Sequence, residues 1–208
     1  MKTLLFTIAS GEKAQQHYDV AGENLMIYAC RNGMDYLCIF DVSRYQEPHY
    51  AKTYAVEAFR QGYECVVYFD IDGVLDTHAP DIREGLEPSG IHIYNELDLV
   101  ESYKKNTAIR DTFAAYCKEH GVQWDGSKYY NSGVFVAFPD AACILDVGDM
   151  PPGKWCHEQH PINLRILQHP DLVHDLPVCW NWHRLQFEDR RAAALNGGCW
   201  FAHVAGYE

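Results

Sequence analysis

An apolar run, Val66-Val67-Tyr68-Phe69, stops at two carboxylates one residue apart in Asp70-Ile71-Asp72-Gly73-Val74-Leu75. A strand with this ending carries acidic oxygens at its C-terminal end, where open α/β sheets bind ligands. Two carboxylates there suit a hard divalent cation, and Mg²⁺ or Mn²⁺ held by one or two acids usually bridges substrate phosphates. The same pair also suits a different chemistry, in which the first Asp attacks phosphorus and the second acts as general acid. What precedes and follows the pair decides between them.

Strand and helix signals alternate on its N-terminal side. Met1 to Ala9 reads as a first strand, and about Ala14 to Asn32 as a helix stopped at Gly33. Asp35 to Val42 reads as a second strand, Pro48 to Arg60 as a helix stopped at Gly62, and Cys65 to Phe69 as a third strand. The acidic pair therefore closes a β-α-β-α-β half-sheet, the arrangement of a nucleotide-binding half. Beyond it come a short strand at Ile91–Tyr94, a helix from about Thr107 to His120, and an apolar strand at Gly133–Phe138. A helix from His157 to Gln168 and a last strand from Trp200 to Val204 complete the pattern. Asp146 to Trp155, with Pro151-Pro152-Gly153, reads as a mobile loop.

The chain of 208 residues has the length of one domain and can bury a substantial core. A formal net charge of −12, with no dense basic run, argues against a nucleic-acid surface, which needs clustered Lys and Arg. The eight cysteines are scattered without a C-x-x-C pair, which disfavours zinc and fits reduced thiols in a cytoplasmic protein. The opening apolar stretch is short and meets Ser10-Gly11-Glu12-Lys13 at once, so it is read as a strand and not as a leader. No run approaches the roughly 20 apolar residues of a membrane-spanning helix.

Phe69-Asp70-Ile71-Asp72-Gly73-Val74-Leu75-Asp76 resembles the first motif of haloacid-dehalogenase-like phosphatases, with Asp70 as nucleophile. That motif normally follows the first strand of its fold, whereas here two β-α units precede it. Ile144-Leu145-Asp146-Val147-Gly148-Asp149 imitates the late acidic pair of that class, but no convincing Ser or Thr and Lys stand in order between the two.

A second resemblance runs along most of the chain. In the expected order stand Asn24-Leu25-Met26-Ile27-Tyr28-Ala29-Cys30-Arg31-Asn32-Gly33-Met34-Asp35-Tyr36, then Lys52 eighteen residues before Asp70, then the D-x-D itself. Tyr130-Asn131-Ser132-Gly133-Val134, Glu158-Gln159 with Asn163-Leu164, and His203-Val204-Ala205-Gly206 follow. This set resembles the GT-A glycosyltransferases, in particular the retaining families 8 and 34. It implies an α/β fold: a Rossmann-like mixed sheet flanked by helices in one domain, with residues 1–76 as the nucleotide half and 77–208 as the sugar and acceptor half.

The resemblance also implies roles. A divalent cation, Mn²⁺ or Mg²⁺, would bridge Asp70, Asp72 and His203 to the diphosphate of a nucleotide-sugar donor, a UDP-sugar above all. Lys52 would meet donor oxygens as a point charge. Thr7, Ala9 and Tyr18 would lie near base and ribose, Gly206 near the phosphates, and Asn131 and Ser132 against the donor sugar, which Asp70 also meets. Glu158 and Gln159 would lie nearest the reacting carbon and, with Asn131, form the catalytic group. The partners would be that donor and a hydroxyl acceptor on a glycan, lipid or protein. Two departures stand out: Glu158 occupies a place where the family commonly has Asp, and a Lys-Pro-Trp-like segment does not follow Gly206. The second leaves a degenerate sugar-nucleotide binding module as an alternative to the enzyme.

Overall fold

The computed structural model describes residues 1–98, 107–154, 156–183 and 199–203. The expected half-sheet is present as β1 (Thr3–Ile8), α1 (Glu12–Arg31), β2 (Asp35–Ile39), α2 (Tyr54–Arg60) and β3 (Cys65–Phe69). β1 lies between β2 and β3 and is parallel to both. The single helix expected from Pro48 to Arg60 is two pieces, because Pro48–Thr53 winds as a 3₁₀ turn before α2 begins. In that turn the Thr53 hydroxyl donates to the carbonyl of Tyr50, three residues back, at 2.7 Å, and Tyr50, Ala51 and Lys52 are all buried.

The second half comprises β4 (Gly73–Leu75), β5 (Ile91–Asn95), α3 (Thr107–Glu119), β6 (Tyr130–Ala137), α4 (Ala142–Leu145), α5 (Gln159–Gln168), β7 (Val173–Asp175), β8 (Trp182–His183) and β9 (Phe201–His203). The main sheet has the order β2-β1-β3-β6-β5-β7. Only β6 runs against its neighbours, β3 and β5, so this is a mixed sheet. Every residue of β3, β5 and β6 is buried. Strands covered on both faces read as continuous apolar runs, which is why Val66 to Phe69 carries no alternation.

Alternation survives in where each side chain packs. Val66 and Tyr68 join Phe6, Tyr50, Phe135 and Ile162 on the face covered by α2, α4 and α5. Val67 and Phe69 join Leu5, Leu25, Val134 and Phe201 on the α1 face. A separate three-stranded sheet, β4-β9-β8, stands beside the end of β3. Its pairing sets Gly73 opposite His203 and His183 beside His203. Gly73 is required there, since a Cβ would fall 1.9 Å from the Phe201 ring.

The segment expected as a mobile loop is tied down at several points. Tyr50 and Tyr116 donate their hydroxyls to the carbonyls of Met150 at 2.9 Å and Pro151 at 2.8 Å, and the Gly153 amide donates to His157 O at 2.8 Å. Trp155 and Val204, at the ends of two expected elements, lie outside the described residues. Next to this segment, α5 buries His160 among the rings of Phe113, Tyr116 and Tyr129. Its Nδ1 faces the Tyr129 hydroxyl at 2.8 Å, and it is 1% exposed.

Burial lowers the pKa of His160 from the usual 6.5 to about 4. The unfolded chain therefore takes up this proton first, so stability falls as pH drops through 6.5 and levels off below 4. Between about pH 7 and pH 5 this ring alone accounts for a loss of about 2 kcal/mol. Urea unfolding at those two values should show the loss reduced by about that amount in His160→Gln; an unchanged pH dependence would exclude the assignment.

Candidate functional site

The backbone amide of Asp70 donates to Gly133 O at 2.7 Å, extending the β3–β6 ladder one step past Phe69. The chain then turns through Ile71 and Asp72 into β4, whose first residue pairs with His203. These two ladders bring Asp70, Asp72 and His203 together, each offering one ligand atom within 4.8 Å of the others. His203 Nε2 lies 3.3 Å from Asp72 Oδ1 and 3.5 Å from Asp70 Oδ2. The ring is buried while both carboxylates stay partly open to a cleft.

The electrostatics separate the two acids. Burial and the neighbouring Asp72 charge raise Asp70 against the pull of Lys52 and His203. Burial also opposes the charge on Asp72, but its hydrogen bond and charge contact with His203 outweigh that and lower it. Burial disfavours a charged His203, yet Asp72 and Asp70 hold it above the ordinary value. Two like charges this close repel, and a bound cation relieves that repulsion.

Lys52 is 5% exposed and comes from the turn that precedes α2. Its Nζ lies 2.8 Å from Glu158 Oε1 and 3.2 Å from Asp70 Oδ1. It also donates toward Ser132 O at 3.2 Å and Oγ at 3.3 Å. Burial works against this charge, but Asp70 and Glu158 more than compensate and raise it above the lysine range. Burial likewise penalises Glu158, and Lys52 more than offsets it, so that acid is lowered. Tyr68 donates its hydroxyl to Asp70 from the face that Lys52 covers.

Behind these charges the polar side chains close into a ring. Ser132 Oγ donates to Glu158 at 2.8 Å, and the Ser132 amide donates to Gln159 Oε1 at 3.2 Å. Gln159 Nε2 and Asn131 Nδ2 both donate to Glu96, at 3.1 Å and 3.2 Å. Asn131 in turn accepts from Asn181 at 2.9 Å, and Asn181 meets His203 Nδ1 at 2.9 Å. Glu96, Asn131, Ser132, Glu158, Asn181 and His203 are all buried.

The cleft in front has a volume of 350 Å³, with Lys13, His17, His49, Lys52, Asp70 and Asp72 on its lining. It opens between the start of α1 and the C-terminal end of β3. Of the side chains expected here, Lys52 and the D-x-D reach it directly, and His203 joins through its contacts with both acids. Asn131, Ser132, Glu158 and Gln159 gather next to these groups but are not on its lining; of them, Ser132 and Glu158 bond the lining residue Lys52. Thr7 and Ala9 are fully buried because strand alternation turns Ile8 and Ser10 to the cleft instead. The Thr7 hydroxyl has no partner among the described residues. Tyr18 packs edge-on against Phe40 at 5.1 Å, and its neighbour His17 is the residue that lines the cleft. Gly206 lies outside the described residues.

Tyr68, Glu96, Asn181, Lys13 and His17 are the site residues that sequence reasoning missed. Lys13, Ala14 and His17 share one helical face at the start of α1, a spacing visible in the sequence. Asn181, between two tryptophans, carried no such signal.

No family model matches the sequence, and comparison with curated proteins gives no match. Solved structures do match along the whole chain. A glycosyltransferase involved in glycosylation of the major capsid of PBCV-1 superposes with a TM-score of 0.62 at 11% identity, covering 100% of this chain and 95% of that one. Mouse xyloside xylosyltransferase 1 gives 0.61 at 13% identity, covering 99% and 98%. The galactosyltransferase LgtC, solved with donor and acceptor sugar analogs, gives 0.62 at 12% identity, covering 98% and 87%. The fold is GT-A. At these identities the likeness is one of architecture, and in it the acidic pair follows the C-terminal end of β3.

The buried ammonium gives a direct stability test. Lys52→Met should cost about 3–5 kcal/mol, because it strands Glu158 and Asp70 without their counter-charge. Adding Glu158→Gln should recover part of that loss in a double-mutant cycle followed by chemical denaturation. Strictly additive losses would mean that the two side chains do not interact.

Proposed function

We propose that this chain is a metal-dependent glycosyltransferase, moving a sugar from a nucleotide diphosphate sugar to a hydroxyl acceptor with retention of configuration. The observation that carries this is the Asp70, Asp72 and His203 cluster at the cleft of a GT-A fold. Two carboxylates and one imidazole whose ligand atoms lie within 4.8 Å of one another fit Mn²⁺ or Mg²⁺ by donor type. A cation held there supplies a Lewis acid for the charge that develops on a departing nucleoside diphosphate. A UDP-sugar is the donor class in best keeping with the motif set.

The chain's own residues then divide the work. Lys52 pulls Asp70 toward its charged form against burial and Asp72, and lies on the cleft lining where donor oxygens would meet its charge. Residues 1–76 serve the nucleotide, and residues 77–208 serve the sugar and acceptor. Glu158 receives Lys52 and Ser132 on the same oxygen, Oε1, at 2.8 Å each, which leaves Oε2 to act on the sugar and leaves both routes to retention, same-face attack and a covalent intermediate, open. Its extra methylene, relative to Asp, serves the reach to Lys52. Gln159, bonded to Glu96 and the Ser132 amide, acts as a positioning residue.

The phosphatase alternative loses its support. Asp146 and Asp149, which imitate the second acidic pair, are exposed and are not on the lining beside Asp70. Among the described residues no helix is long and apolar enough to cross a membrane.

With Mn²⁺ and a panel of nucleotide sugars, release of nucleoside diphosphate should fall by at least about 100-fold in Asp72→Ala. Full activity in that variant would sink the proposal. Phosphate release from an aryl phosphate would favour the phosphatase, and donor binding without turnover would favour a binding module.

A further inference from the structure

The hydrogen bonds behind His203 determine which of its ring nitrogens carries a proton. The Gly133 amide can only donate, and it meets Asn131 at 2.9 Å, so the Asn131 atom there is Oδ1. That orientation sends Asn131 Nδ2 to the Glu96 carboxylate, which can only accept when ionised. The same Oδ1 meets Asn181 at 2.9 Å, so Asn181 presents its Nδ2 on that side. Its Oδ1 is thereby turned to His203 Nδ1, also at 2.9 Å. An acceptor at that distance requires a proton on Nδ1. In a neutral ring the lone pair then lies on Nε2, the nitrogen directed at Asp70 and Asp72.

We infer that Asn181 is a positioning residue that, through Asn131 and the Gly133 amide, fixes His203 as an Nε2 ligand for a divalent cation. The inference rests on the metal function proposed above. The relay is built into the backbone, since Asn181 directly precedes β8, whose His183 pairs with His203. All three side chains are buried, with Asn181 at 1% and His203 at 2% exposure, so water does not compete for these bonds. Gly133 completes the device. A Cβ there would sit 2.3 Å from His203 Cε1 and 2.8 Å from Nδ1, so only glycine lets the ring lie this close to the strand. Glycine at this place in the N-x-G pattern thus has a steric cause as well as a hydrogen-bonding one.

The test uses Mn²⁺ affinity and a spectroscopic signature together. Isothermal titration with Mn²⁺ should show affinity about 10–100-fold weaker in Asn181→Leu than in the wild type, the range for losing a partner behind a metal-bound histidine. Histidine ¹⁵N spectra of the wild-type protein, loaded with Cd²⁺ as a diamagnetic stand-in, should show Nε2 of His203 ligated and Nδ1 carrying a proton. That second measurement needs no variant, and ligation through Nδ1 there overturns the inference even if Asn181→Leu fails to fold. In that case Asn181→Asp, which keeps an acceptor toward Nδ1, should retain Mn²⁺ affinity. Ligation through Nδ1, or unaltered Mn²⁺ affinity in folded Asn181→Leu, overturns the inference while leaving the metal function standing. A wild-type protein that takes up neither ion overturns the metal function and this inference with it.

Discussion

One buried ammonium organises the site. An isolated lysine charge in a protein interior costs several kcal/mol, and burial at Lys52 is acceptable only because carboxylates from β3's end and from the start of α5 converge on it. Those contacts tie the turn before α2 to β3, β6 and α5 at one point. They also restrict Asp70, whose like-charged neighbour Asp72 would otherwise drive the two acids apart or neutralise one of them. The 3₁₀ winding of Pro48–Thr53 belongs to this constraint, since it accompanies burial of three consecutive residues ending in Lys52.

The second wall depends on a sheet of three short strands. β4, β9 and β8 are too small to be stable alone, and they are held by Phe201 packing against Phe69 and over Gly73. Through them residues far apart in sequence, Asp72, Asn181 and His203, become neighbours. The acids, the imidazole and the amides behind them thus form one hydrogen-bonded unit. A carboxylate pair alone would bind cations weakly and with little geometric preference; under the proposed metal function, the ring would add a ligand with a set direction.

Much of this was legible in the chain. The half-sheet ending at Asp70 followed from apolar runs bounded by Gly33 and Gly62, and the long β6 from the buried run after Asn131. The order of Lys52, Asp70, Asp72 and His203 along the chain anticipated that they come together in space. What stayed hidden has physical causes. β7 and β8 are two or three residues long and leave no periodic trace. Thr7 and Ala9 were placed in the cleft when the alternation of β1 gives that side to Ile8 and Ser10. Asn131, Glu158 and Gln159 join one buried hydrogen-bond network with Lys52, Ser132 and Glu96, a connection that no local pattern in the chain announces. A sequence specifies residue types at a site more readily than it specifies which of them support and which face the ligand.

Under the proposed function, the cleft binds a divalent cation and a nucleotide sugar as one unit. Thermal unfolding of the wild-type protein with UDP-, GDP- and dTDP-sugars, each in Mn²⁺ and in EDTA, tests it directly, because a ligand that binds only the folded state raises the transition temperature. A UDP-sugar should give a shift that appears with Mn²⁺ and vanishes in EDTA. An equal shift in EDTA, or none with any nucleotide sugar in Mn²⁺, would contradict it.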